Sequence, residues 1–557
     1  MMLTLASLFT ELCRDPADAL LLSRLYKLCE QNAPELRAYY VHDDATCREA
    51  LTALFARPAT ALRSLIPLAE AQVRTRHRLD DETPIDARLL AALADDPLCQ
   101  LLLSESLNMQ VRFERFYTGL RRACLHGLPV TIAAQPLMAA LALQAWINEY
   151  LWEEKPDETA EVEAQSKAIA AAIASGDLTE ATLPILRWAM YRPLGALPAA
   201  EWLATRPSAA IPQVLRLLWQ RTLLAPRQEA ALRAALPTCG QITDVTSRAV
   251  QAQYEENPYP RWLRLSGAPR SVLECNRAYD ASFAWPATFR EPLQILVAGC
   301  GTGQHPLRIA VANPDAEVLA VDLSAAALAY AQRMARELSI DNIRFLQADL
   351  LHLPASGQRF HHIDCAGVLH HMRDQQAAWQ SVTAALHPGG TLRVGVYSKV
   401  ARLPVTHLRT RITREGVPTT AAAMRAFRAQ LLREPESAAI IGPLRGDLFS
   451  LSMFRDLLFH VHEHHYTLTE LEQHATACGL RLLGYQLPPR LRRHATLPAG
   501  PPTFVQWRML EMAYTGSMGM FFCTLFRPKS GDRPLQSESQ VRRVASVKRE
   551  SLACASG

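Results

Sequence analysis

Residues 293–303 read LQILVAGCGTG, and this stretch decides the fold. The apolar run Leu293–Gly299 has the length and composition of a strand buried on both faces, as in a parallel sheet. It enters the loop Gly299-Cys-Gly-Thr-Gly303, where the chain must turn tightly and approach a ligand closely, and a Cβ would obstruct both. Gln304–Ala312 can then start a helix, whose first amide groups favour an anionic group such as a carboxylate.

The residues that follow keep an alternating strand and helix pattern, the signature of a doubly wound α/β unit. A second strand, Glu317–Val321, ends at Asp322, about twenty residues beyond the loop, where its carboxylate can accept both ribose hydroxyls of an adenosine. Leu323 joins it at the same ligand, and Ser324 is placed to cap the helix Ala325–Glu337. A third strand, Ile343–Ala348, ends at Asp349, suited to an adenine amino group while Leu350 packs on the ring. A fourth, Ile363–Val368, runs into Leu369-His-His-Met372, and Pro388-Gly-Gly390 turns the chain into a fifth, Thr391–Tyr397. Gly299, Gly301, Gly303, Gln304, Asp322, Leu323, Asp349 and Leu350 are therefore the expected cofactor-binding residues. A glycine loop alone is weak evidence; the loop, two acids at successive strand ends and the H-P-G-G turn in this order are specific. A nicotinamide dehydrogenase would carry G-x-G-x-x-G with room for a pyrophosphate, whereas this loop is G-x-G-x-G with Gln304 and His305 where the third fingerprint glycine would fall.

The chain has 557 residues, enough for two to four domains, with 49% apolar and 20% charged residues. A net charge of +5 is small for this length and argues against a nucleic-acid partner. Twelve scattered cysteines without a C-x-x-C pair suggest reduced thiols rather than a disulfide frame or zinc site. The start, MMLTLASLFTELCRDP, lacks a basic leader region and reads as an amphipathic helix, and no apolar run reaches the roughly 18 residues of a membrane span. A cytoplasmic protein is expected.

Residues 1–245 read as a large all-α domain, with helices expected over Ser106–Leu125 and Leu137–Leu151. They form either a tetratricopeptide-like solenoid or an irregular array, for no clean repeat period emerges. Dimerisation, giving a homodimer, and substrate holding are the expected roles. Residues 246–292 form a linker and substrate-lid segment, 293–399 the cofactor-binding core, 400–448 a helical insertion, and 449–528 the last part of the α/β unit. That part holds a helix near Leu468–Cys478 and strands Arg481–Leu487 and Met518–Arg527. Residues 529–557, rich in Ser, Gln and Arg, are expected to be disordered.

The stretches AGCGTGQHP, VLAVDLSAAALAYAQR, NIRFLQADLL, GVLHHM and LHPGGTLRVGVYS together resemble the Rossmann-like class I methyltransferase fold. The resemblance implies S-adenosyl-L-methionine as cofactor. It extends to bacterial methyltransferases with a helical, often tetratricopeptide-like, N-terminal region, which share Y-E-E-N-P-Y-P-R-W, here Tyr254–Trp262, and R-D-L-L-F-H-V-x-E-H, here Arg455–His464. It is specific over Tyr254–Arg527 and loose before that. Relatives of this kind include protein-lysine methyltransferases of outer-membrane proteins, which implies a protein side-chain amine as acceptor.

Methyl transfer from a sulfonium needs an aimed, neutral nucleophile. A lysine amine, with a reference pKa of about 10.4, must be desolvated or must pass its proton to a base. Asn257, Tyr259 and Arg261, held by two prolines and anchored by Trp262, are candidates to line the acceptor pocket; a rigid linker between domains is the alternative. Asn-Pro-Tyr-Pro is like the Asn-Pro-Pro-Tyr signature of some amine and amide methyltransferases, but it lies upstream of the fold, so that role is not transferred. The segment FRDLLFHVHEHHY supplies Arg455, Asp456, His460, His462, Glu463, His464 and His465. H-x-H on a strand invites a metal reading; solvated or pocket-lining histidines are the plainer one, and no metal is assigned. His460 or Glu463 is the expected general base, tuned by Arg455 and Asp456, and Tyr259 is grouped with them as catalytic. Arg455 and His462 are assigned to substrate binding, with His370, His371, Tyr397 and Ser398 at the ends of the fourth and fifth strands. A small-molecule acceptor such as a quinone, lipid or natural-product precursor is the alternative function, and a non-catalytic helical scaffold a further one.

Overall fold

A computed structural model describes residues 4–529, apart from 32, 59, 81–82, 175–177, 266–269, 290–291, 436, 438–445, 489–490 and 493–501. The expected disordered tail, beyond Lys529, lies outside the described residues.

Between Leu5 and Ala234 the described elements are helices, many capped by the side chain just before them, as Thr4, Asp18, Asp44, Asp86 and Asp96 do. Their apolar faces share one core that includes Phe9, Leu51, Phe55, Leu103, Leu141, Leu186 and Trp219. The α-helix lengths vary from four residues at Arg216–Trp219 to 19 at Pro156–Ala174, an irregular array rather than stacked equal units. Two expected helices are shorter than read. The first is Val111–Leu125, because Asn108 turns the chain before it, its Oδ1 accepting from the Gln110 amide at 3.1 Å. The second is Gln135–Ile147, because Glu149 and Tyr150 take φ of 60° and 56°, left-handed backbone that breaks the helix.

The α/β unit holds an eight-stranded sheet: β1 Thr238–Cys239, β2 Leu293–Ala298, β3 Ala316–Asp322, β4 Ile343–Ala348, β5 Phe360–Ala366, β6 Leu386–Tyr397, β7 Arg481–Gln486 and β8 Met520–Phe526. Their order is β1-β4-β3-β2-β5-β6-β8-β7, parallel except for β8, which runs antiparallel to both β6 and β7. The order reverses direction at β2, so a crevice opens at the carboxyl ends of β2 and β5. β1, at the end of the helical half, was not foreseen. The expected H-P-G-G turn is instead part of β6: Arg527, just past β8, donates to the Gly390 carbonyl at 3.0 Å and accepts from Gly389 at 2.7 Å, drawing the segment into the sheet. The expected fourth strand begins three residues earlier, at Phe360, and ends at Ala366.

Helices Leu403–Glu415, Ala421–Arg433 and Leu451–Phe459 pack around their own core, to which Leu151 of the helical half belongs. The halves are also joined by charge. Arg428 grips Glu114 through two bonds of 2.7 and 2.6 Å, both side chains buried, and Arg264 donates to the Phe55 carbonyl at 2.7 Å and to Glu105 at 2.8 Å. No helix among the described residues is long and apolar enough to cross a membrane.

Candidate active site

A cavity of about 320 Å³ fills the crevice. Gly299, Gly301, Gln304, Asp322, Leu323, Asp349 and Leu350 line it, seven of the eight residues expected there. Gly303 lies behind the loop, where a Cβ would stand 2.4 Å from that of Ala331, so it serves packing of loop on helix. Asp322, at the end of β3, accepts from the Gly301 amide at 2.7 Å and from the Ser324 amide at 2.9 Å. Burial raises its pKa, and these amides counter that by holding the carboxylate.

The segment upstream of the sheet closes over the loop. A Cβ on Gly301 would lie 2.6 Å from the Tyr259 carbonyl, which also accepts from the Thr302 amide at 3.3 Å. Thr302 donates its hydroxyl to the Pro260 carbonyl, and the Trp262 indole donates to the Thr302 carbonyl at 2.9 Å. Glu255 accepts from the first amides of the helix Ala325–Glu337, at 2.6 Å from Ala325. This segment therefore both clamps the loop and walls the cavity through Tyr254, Tyr259 and Pro260.

Tyr254, Tyr259, His371, Tyr397 and Asp456 also line the cavity, with Met520 and Phe522 from β8. Asp456 projects from the helix Leu451–Phe459 and accepts from the Tyr254 hydroxyl at 2.6 Å. The Tyr254 oxygen lies 3.1 Å from His460 Nε2. His460 Nδ1 accepts from the His462 amide at 3.1 Å, so the neutral ring carries its proton on Nε2 and donates it to Tyr254. His371 stacks on His460 with centroids 3.7 Å apart, and its Nδ1 faces the His462 carbonyl at 2.9 Å, which leaves Nε2 as an acceptor. Burial lowers His371 to about 4, and burial with the adjacent His371 takes His460 well below its ordinary value. Burial pushes Asp456 up to about 7, despite the opposing Tyr254 hydrogen bond. Asp456 is thus the group whose proton affinity suits acid–base work near neutrality.

Sequence reasoning named Asp456 only as a neighbour of the base and passed over Tyr254. The available signal was spacing, since Asp456 precedes His460 by four residues on a helical run. Glu463 is corrected as a candidate base: its side chain is fully buried and binds Arg402 at 3.0 Å, Arg409 at 3.3 Å and His465 at 2.6 Å. Burial would raise its pKa, but His465 and the arginines hold it down at about 2, too weak a base to take an amine proton. Arg261 turns away from the cavity, stacking over Trp146 at 4.8 Å and facing Glu149 at 3.4 Å. Arg455 donates to the Asn257 carbonyl oxygen and pairs with Glu256 at 2.6 Å, so these two expected pocket residues tie helix to segment. His370 is buried beneath Tyr397, its ring 4.1 Å away, and does not line the cavity. Ser398, also buried, hydrogen-bonds to Glu511 at 3.3 Å. The stretch 460–465 is not a strand, so its histidines do not share a face. His464 lies 3.8 Å from Glu470, and His462 contributes its backbone to the two rings above.

His371, Asp456 and His460 bring one ligand atom each within 4.8 Å of one another. Their hydrogen bonds describe a different device, because His460 Nε2 and Asp456 are both engaged by Tyr254.

The glycine loop, the two acids and the switch-point crevice define an S-adenosylmethionine-dependent methyltransferase domain, with S-adenosyl-L-methionine as its cofactor. Residues 290–428 match the family described as a methyltransferase domain. An uncharacterized protein of Synechococcus sp. is 30% identical over 285 residues, 48% of this chain and 65% of that protein. The demethylmenaquinone methyltransferase of Thermus thermophilus is 33% identical over 134 residues, 23% of this chain and 60% of that enzyme. This chain thus spans just under two thirds of the length of these curated relatives. PKMT2 from Rickettsia typhi, solved in complex with AdoHcy, aligns with a TM-score of 0.36 and 17% identity, over 48% of this chain and 55% of that one.

Proposed function

We propose that the protein methylates a primary amine, with a lysine side chain of a polypeptide as acceptor. The observation that carries the reading is Asp456, a buried carboxylate bonded to Tyr254 and lining the cofactor cavity together with Tyr259 and Tyr397. Aromatic faces and one carboxylate suit an incoming ammonium group. When bound, S-adenosylmethionine supplies an electrophilic methyl carbon. The chain's own task is to bring up the amine nitrogen with its lone pair free. At neutral pH, freeing an unperturbed lysine of its proton costs about 4.6 kcal/mol, its pKa lying about 3.4 units above 7. Burial of the ammonium lowers that cost, and Asp456, near 7, receives the proton on a carboxylate oxygen. Tyr254 holds the carboxylate in place, and His460 fixes the Tyr254 hydroxyl so that it donates towards Asp456. The helical half, whose Asn148–Glu149 turn grips the helix bearing Asp456, is the part we assign to holding the polypeptide. An outer-membrane protein as that polypeptide, met in the cytoplasm, belongs to the same proposal.

The test is to incubate the full chain with methyl-labelled cofactor and fractionated lysate. Label on lysine in protein bands is the expected result. Label confined to the organic-extractable fraction would overturn the amine reading in favour of a quinone, lipid or other small acceptor.

A further inference from the structure

Over β5, β6 and β8 one face of the sheet is polar where an apolar one is expected, although on β2 and β3 the same face is apolar. In β5, β6 and β8 the residues Ile363, Cys365, Leu392, Val394, Cys523 and Leu525 point into the core. Their alternates His362, Asp364, Thr391, Arg393 and Thr524 occupy the opposite face, paired across strands as His362 with Thr391, Asp364 with Arg393, and Arg393 with Thr524. Central strands of parallel sheets usually carry apolar residues on both faces. Departures from that consistency concentrate at functional sites.

This polar face opens on a second cavity, of about 690 Å³. Among the described residues its lining includes four arginines, Arg270, Arg308, Arg393 and Arg492, against one carboxylate, Asp364. Asp364 is already matched, by Arg393 at 3.0 Å and by His305 at 2.8 Å. Arg308 makes no hydrogen bond or ion pair among the described residues, and Arg270 stands at the rim, exposed. Tyr279 and Tyr485 also line it. A recess lined by Gly299, Cys300, His305 and Asp364 lies between this cavity and the cofactor cavity, and His305 lines all three.

We infer that the second cavity is a binding site for a small organic anion, one bearing phosphate or carboxylate groups that Arg308 and Arg270 receive. Guanidinium groups match the planar or tetrahedral oxygens of both classes. His362 and Thr524, which line the floor, face the neutral hydrogen-bonding part of such a ligand. Nothing in the amine-methylating reading uses these residues, so the inference stands apart from it.

The experiment is calorimetric titration of the full chain with two probes, pyrophosphate and citrate, on the unaltered protein and on Arg308→Ala and Arg270→Ala. Both arginines are at least partly exposed, so cofactor affinity serves as the control that each variant is folded. At least one probe is expected to bind saturably, and either substitution to weaken it about 10-fold, with cofactor binding unchanged. The stronger probe distinguishes a phosphate ligand from a carboxylate one. Asp322→Ala should lose cofactor and keep the probe, and loss of methyl transfer in Asp456→Asn leaves the probe result untouched. The inference is overturned if neither probe saturates by about 5 mM, or if both arginine variants bind the probe like the unaltered protein.

Discussion

Replacing Asp456 by Asn tests the chemistry at a single atom. Asn keeps the shape, and its carbonyl oxygen can still accept from Tyr254, now at 2.6 Å from the carboxylate. What disappears is the group that takes the proton. With Asp456 near 7, log kcat/KM should rise with pH through about that value and then level off. Without it, water must receive a proton from an amine about 3.4 units above neutrality, which bounds the loss at about 2,500-fold, and general bases ordinarily contribute about 10²- to 10⁴-fold. We expect kcat to fall by about 10²–10³ at neutral pH, measured by transfer of label to a lysine acceptor. The break near 7 should vanish and leave a rate that climbs with pH. Stability supplies an independent readout. The folded pKa lies above the unfolded value of about 3.9, so the folded form binds the proton more tightly. The native protein therefore loses stability as pH rises from about 4 to about 7, by up to about 4 kcal/mol, and Asn removes that loss. The Tm gain of the variant should be larger at pH 8 than at pH 5. A variant within threefold of normal activity that keeps the break near 7 would refute the assignment.

Tyr254→Phe removes the hydrogen bond that lowers the pKa of Asp456, so the same break should move to higher pH by about 1–2 units, read from the pH–rate profile. Glu463→Gln leaves Arg402 and Arg409 without their carboxylate and should cost about 3–5 kcal/mol in stability by denaturant titration, while the break near 7 moves to lower pH because the Glu463 charge helps to raise Asp456. Gly301→Ala sets a methyl group 2.6 Å from the Tyr259 carbonyl and requires φ near 54°, so calorimetry should show cofactor affinity falling at least about 10-fold. Glu149→Ala frees both the Ser452 amide, now bonded at 2.6 Å, and Arg261; kcat should fall about 10-fold with cofactor affinity within twofold.

The cofactor end was legible because its signals are local. Loop, strand ends and caps lie within about sixty residues, and each states its own geometry through a glycine, an acid or an apolar run. The Asp456 cluster, proposed as the acceptor site, depends on contacts between distant segments. Tyr254 meets Asp456 across 202 positions, and no periodicity in either segment announces the other. Glu463 looked like a base because its neighbours in sequence are histidines. Its arginines come from Arg402 and Arg409, in the stretch read as an insertion, and their charges turn a reactive carboxylate into a buried structural one. Arg261 was misplaced for the same reason, since Glu149 and Trp146 belong to the helical half. The H-P-G-G turn was lost to a partner more than a hundred residues away, where Arg527 pairs with Gly390.

The left-handed residues Glu149 and Tyr150 unite these observations. Non-glycine residues at positive φ cost about 1–2 kcal/mol each and persist only where the surroundings over-determine them. Here the turn presents the Asn148 carbonyl to the Leu451 amide at 3.2 Å and the Glu149 carboxylate to the Ser452 amide at 2.6 Å, at the first turn of the helix carrying Asp456. The same carboxylate faces Arg261, two residues from Tyr259, so one side chain of the helical half touches both segments that contribute Tyr259 and Asp456 to the cavity wall. A carboxylate at a helix N-terminus also satisfies amides that would otherwise lack partners. A shift of this turn would move Asp456 and Tyr259 together. Displacing a reacting group by about 1 Å can cost about 10²-fold in rate, so, under the role proposed for Asp456, the strained turn would give the helical half a direct mechanical hold on the chemistry.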